Sequence, residues 1–148
     1  MIAQAAEKNL ALFESLDVMT REETLARCCA MHELYSGVVE MELKVMLEMI
    51  QKQVLPASKA SGVVPQATLD ALMAGCEALE KELHTMEAAG SEYETATVAR
   101  VARLETMVAL REHCDAAEAL VPAGMWTIAT YQELLFLDFT MGQTAPKE

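Results

Sequence analysis

The chain has 148 residues, an apolar fraction of 53% and a formal net charge of −12. That length suits one domain with a real core, and that apolar fraction argues against disorder. Phosphate backbones and anionic lipid surfaces repel such a chain, and no Lys/Arg run is dense enough to reverse this, so nucleic acid is excluded as a partner.

No apolar stretch approaches the roughly 18 residues of a membrane span, so no membrane partner is expected either. Glu7 and Lys8 interrupt the opening MIAQAAEKNLALF where a secretory signal would be apolar. Cys28, Cys29, Cys76 and Cys114 then read as buried thiols in a reducing, cytoplasmic setting, not as a disulfide frame. Cys28 and Cys29 are adjacent and cannot both face one seam. Ala, Leu, Met and Glu dominate, and these are strong helix formers, so the expected class is all-α.

The first element is a short helix over about 3–16, with Leu10, Phe13 and Leu16 on one face. Asp17-Val18-Met19 is a brief turn, so this helix folds back or bends sharply against the next. The second helix spans about 20–59 and organises the chain. Thr20 with Glu23 is a capping-box start, and Pro56, followed by Ser61 and Gly62, marks its end or a kink near it. Two apolar rows run along it. Leu25, Cys28, His32, Tyr35, Val39, Met46 and Met49 make one; Met31, Leu34, Val38, Met41 and Val45 make the other. One stripe suffices to face a core, so two predict a central helix with neighbours on two sides. If a small bundle leaves part of the second row uncovered, self-association follows. Gly37, mid-helix, costs about 1 kcal/mol against alanine and suggests a close helix crossing.

Pro65 opens a third helix over about 66–88, in which Leu69, Leu72, Cys76, Leu79, Leu83 and Met86 keep strict a/d spacing. After Ala89-Gly90-Ser91 a fourth helix covers about 93–120. Its apolar row begins as Val101, Leu104 and Val108 and shifts to Met107, Leu110, Cys114, Ala117 and Val121. Such a stutter predicts a contact face that rotates along the helix. Pro122 and Gly124 end it. Thr130 and Glu133 form a second capping box, for a short helix over about 131–138, and the chain beyond Thr140 is expected to fray. The expected architecture is a single helical domain over 1–148, an antiparallel bundle of three long helices plus short N- and C-terminal helices.

Chemistry is sparse in this pattern. Cys28 and His32 stand i, i+4 on one helix face, and Cys76, His84, His113 and Cys114 are the other soft donors. No C-x-x-C or H-E-x-x-H spacing joins them, and a core histidine is the commoner role for His32. The Glu-x-x-His pairs of di-iron bundles are missing, since Glu112 and His113 are adjacent. Glu42, close to the first apolar row, is either a buried acid or, as favoured, the ion-pair partner of Arg100, Arg103 or Arg111. There is no phosphate-binding glycine loop and no nucleophile–base–orienter set. The eleven methionines fill gaps in a core. No catalytic, cofactor-binding or metal-ligating residue is assigned, and no cofactor is expected.

Three stretches nonetheless share a family resemblance. They are Asn9-Leu10-Ala11-Leu12-Phe13-Glu14 with Val18-Met19-Thr20, Glu23 and Arg27; Glu33 and Tyr35 with Val39–Glu42, Met46–Met49 and Gln53-Val54-Leu55-Pro56-Ala57; and Leu110-Arg111 with Asp115, Glu118, Trp126, Thr130-Tyr131 and Leu134-Leu135-Phe136. In order and spacing they resemble the C-terminal region of type III glutamine synthetases, from about residue 7 to 136. Thr127 and Ala129 replace the two prolines of that family's Trp-Pro-x-Pro phrase, and 60–95 carry little that is diagnostic. The resemblance implies a complete enzyme, a ligase of nitrogen assimilation, that amidates glutamate with ammonia and ATP. It also implies that the catalytic equipment lies on a separate β-rich domain, so this chain alone is expected to be inactive. The expected role is packing or subunit assembly, with the catalytic domain of the same enzyme or a second copy as partner. The alternative is a stand-alone helical scaffold or adaptor that binds a partner helix.

Overall fold

The structure, a computed structural model, describes residues 5–136. Among them every regular element is helical. In order these are α1 (Glu7–Ser15), α2 (Arg21–Met49), a π turn (Ile50–Val54), α3 (Leu55–Ser61), α4 (Gln66–Glu87), α5 (Glu92–Val101), a second π turn (Ala102–Thr106), α6 (Met107–Glu118), a 3-10 turn (Ala123–Met125) and α7 (Tyr131–Leu135). The expected α-helical class holds. The expected fraying beyond Thr140, the end of the last helix near 138 and the first residues of the opening helix fall outside the described residues.

α1 folds back onto α2 through a turn in which Asp17 takes a left-handed φ of 54°, a conformation that aspartate tolerates better than most side chains. Arg21 pairs with Glu7 across the joint. Leu10 is buried and Phe13 half-buried, but Leu16 is exposed, because α1 ends before it. The capping box at Thr20 forms as expected: Thr20 Oγ1 accepts from the Glu23 amide at 3.2 Å, and the Thr20 amide donates to Glu23 Oε2 at 2.8 Å. The Thr20 amide first, and then the Thr20 hydroxyl, which donates to the same Oε2 at 2.9 Å, hold the Glu23 carboxyl below its ordinary range.

The long helix does not stop at Pro56. α2, the π turn and α3 are continuous from Arg21 to Ser61, where Gly62 (φ 66°) supplies the left-handed cap. Proline lacks an N–H and crowds the carbonyl four residues back. The turn just before it widens instead, and the Leu55 N–H donates to the Ile50 carbonyl five residues back. A local π turn thus lets the helix run past its proline.

The core is gathered around α4. Its row Leu69, Leu72, Cys76, Leu79, Leu83 and Met86 is buried throughout, as the heptad spacing predicts. It packs with α2, α5, α6 and α3. From the long helix come Val39, Leu43, Ile50, Val54 and Ala57, and from the following helices Ala99, Ala102, Leu110 and Ala117.

Two expectations about packing are corrected. The second apolar row of α2 is left uncovered among the described residues: Leu34 is 70%, Met41 63% and Val45 54% exposed. Leu25 and Met49 of the first row are exposed too, and the buried stripe runs through Thr24, Cys28, Ser36, Val39 and Leu43 instead. Ser36 is buried at low cost, because its hydroxyl donates to the His32 and Glu33 carbonyls at 2.9 and 3.1 Å. Along α5, the second π turn and the start of α6 the row Val101, Leu104 and Val108 is likewise exposed, and Ala96, Ala99 and Ala102 are buried instead. Three alanines in line let α5 lie close along α2, so methyl groups fill the space that larger side chains would have to leave.

Candidate functional site

Val38, Met41 and Val45 of one uncovered row and Val108 of the other line one feature. A groove of about 1210 Å³ runs between α2 with its π turn on one side and α6 on the other. Val38, Met41, Val45 and Met49 form the α2 wall, and Met107 and Val108 the facing one. Trp126 and Ile128, from the segment that leads into α7, and Leu134 of α7 complete the lining. Thr130 caps α7 with Glu133 in a second complete capping box, which holds the Glu133 carboxyl below its ordinary range and fixes the start of this helix. Trp126 is half-buried, and its indole N–H finds no acceptor among the described residues.

The second π turn sets the groove's polar edge. Arg103 projects from it and grips Glu42 of α2 with two bonds, Nε to Oε2 at 3.0 Å and Nη2 to Oε1 at 3.1 Å. From the same turn Thr106 donates through Oγ1 to Glu82 Oε1 of α4 at 2.6 Å. A single extra residue in this helix turn therefore aims two polar side chains at two different helices, at the position where the apolar spacing stutters. Glu42 is the ion-pair partner favoured by its place in the sequence, and its carboxylate is committed to a guanidinium fork.

The soft donors stay dispersed. Cys28 is buried in the α2 stripe, while the half-buried His32 ring meets the Tyr93 ring edge-on with centroids 5.6 Å apart. His84 is exposed, with Nδ1 3.5 Å from Glu87 Oε2, and His113 is exposed on α6. Among the described residues no group of three or more His, Cys, Asp or Glu is placed to hold a metal ion. Nor is any described helix long and apolar enough to cross a membrane.

Cys114 lines the groove half-buried, and burial first, then the Asp115 and Cys76 charges, push its thiol up to about 11. Burial raises Cys76 as well, whereas Cys29 is exposed. A maleimide or disulfide reagent near pH 8 is therefore expected to label Cys29 at least about tenfold faster than Cys76 or Cys114, since the thiolate is the nucleophile. Peptide mapping of the labelled protein checks this, and equal labelling of Cys114 would contradict its placement.

The groove's α2 wall lies in a stretch with a known signature. Residues 1–62 match the glutamine synthetase C-terminal domain. The match supports the resemblance to the C-terminal region of glutamine synthetase, and it ends at Gly62, the left-handed cap of the long helix. α1, α2 and α3 are thus the glutamine synthetase-like part of the chain, and α4 to α7 lie beyond the match. No curated protein matches the chain.

Proposed function

We propose that this chain is a non-catalytic helical domain of the type III glutamine synthetase kind, an antiparallel bundle that serves packing and subunit assembly in the cytoplasm. The observation that carries this reading is the coincidence of the family match with an uncovered apolar wall: Met31 to Val45 lie inside the matched stretch and face away from the chain's own core. An apolar row at regular spacing, exposed on a helix that already has a buried stripe, is a surface made to be covered. The groove offers apolar contact and paired charges, with no aligned nucleophile and base, so binding is its chemistry. The partner is the catalytic domain of the same enzyme or a second copy of the chain.

The purified chain is expected to form no glutamine from glutamate, ammonia and ATP. Measurable turnover that survives repurification would overturn the reading. A second reading, a stand-alone adaptor for a partner helix, draws on one observation: the far wall of the groove and its lining from Trp126 to Leu134 come from residues outside the family match. Retention of an isolated synthetase catalytic domain on the immobilised chain favours the first reading, and its absence the second.

A further inference from the structure

The exposed row of α2 belongs to a longer and more regular pattern. Positions 27, 31, 34, 38, 41, 45 and 48 follow alternating steps of four and three, the spacing of a coiled-coil seam. The five central residues are apolar and exposed, Met31 39%, Leu34 70%, Val38 37%, Met41 63% and Val45 54%. The two ends carry opposite charges, Arg27 and Glu48. We propose that this seam pairs with the same seam of a second copy of the chain, the two α2 helices running antiparallel about an axis near Gly37 and Val38.

Charge selects both the partner and the direction. A parallel pairing would stack Arg27 on Arg27 and Glu48 on Glu48. An antiparallel one brings each Arg27 to within about a turn of the other copy's Glu48, at both ends of the contact. Arg27 is exposed and forms no ion pair among the described residues, and Glu48, on an exposed pair with Lys52 at 2.7 Å, can take a second cation. One flank of the seam is Ala30, Gly37 and Lys44, the last paired with Glu40, and on the other Glu42 is neutralised by Arg103. A chain of net charge −12 thus meets itself here without opposed carboxylates. The seam from 27 to 48 runs about 32 Å at helical rise, and the groove beside it adds the apolar Val108 and Leu134. Pairing of copies rests on the assembly role proposed above and gives it a partner.

Light scattering behind a sizing column tests this on the 148-residue chain. The expected mass is twice 16.2 kDa at high concentration, falling toward 16.2 kDa on dilution. Leu34→Lys is expected to weaken the pair about tenfold or more while the helical circular dichroism stays unchanged, because Leu34 is exposed within the chain. Arg27→Glu and Glu48→Arg should each weaken it, and the double exchange should restore it, which a parallel pair cannot do. A mass of 16.2 kDa at every concentration, or a dimer indifferent to Leu34→Lys and to the charge exchange, overturns the proposal. A chain that stays monomeric yet binds a synthetase catalytic domain defeats the pairing alone; one that binds neither defeats the assembly role too.

Discussion

Leu79→Ala is expected to lower the unfolding free energy by about 2–5 kcal/mol, the range for removing a buried leucine and leaving a cavity. Leu79 has no exposed surface and sits midway along α4, the helix that α2, α5 and α6 all contact. The void opens between several helices at once, so no single one can collapse into it. Domains of this size are stable by about 5–15 kcal/mol, so the loss takes a large share of the total. Leu34→Ala removes the same atoms from a 70% exposed position and should change monomer stability by about 0.5 kcal/mol or less. Urea titrations of the two variants, at concentrations where the chain is monomeric, compare them directly. Equal costs would mean that the core and the uncovered row have been exchanged.

Gly75→Val is expected to destabilise by about 1–3 kcal/mol, although valine is the better helix former. A Cβ at Gly75 would stand 2.4 Å from Leu110 Cδ1 and 3.2 Å from its Cγ. Leu110 is itself buried, so its side chain has to abandon its rotamer or push α6 away from α4. Gly37 gives the opposite result. Nothing lies within 4 Å of a Cβ built there, so Gly37→Ala should stabilise by roughly 0.5–1 kcal/mol through helix propensity alone. Thermal melts of both variants, at concentrations where the chain is monomeric, distinguish the two glycines, and a destabilising Gly37→Ala there would contradict the open space beside it.

These residues show how much of the fold could be read from the chain. The α4 row was fully legible, because each of its a/d positions is apolar, all but Cys76 are large, and each is buried. The α2 pattern was legible as two rows, but spacing alone cannot say which row has a neighbour. The buried one includes Ser36 and Thr24, whose hydroxyls satisfy themselves on helix carbonyls and carry little hydrophobic signal. Alanines at 96, 99 and 102 misled for the same reason. Their small side chains mark close approach, which hydrophobicity ranks below the exposed valines and leucine beside them. The glycine at a tight crossing is Gly75 and not Gly37, a distinction that depends on where Leu110 lands.

The stutter in the fourth helix was read only as a rotating contact face, and the π turn at Ala102–Thr106 falls within it; the turn before Pro56 had only the proline as its sign. The Glu42–Arg103 pair was among the expected partnerships. The groove was not, since its walls come from segments about sixty residues apart in sequence.

Methionine oxidation by hydroxyl radicals tests most directly whether the exposed α2 row is a contact surface. Met31 and Met41 lie on that row, and Met86, buried on α4, is the internal standard. In the assembled protein, taken from its own cells without dilution, Met31 and Met41 are expected to be protected about as well as Met86, and to become reactive when the purified chain is diluted. Met41 oxidising at the full rate of an exposed side chain in both samples would contradict the account.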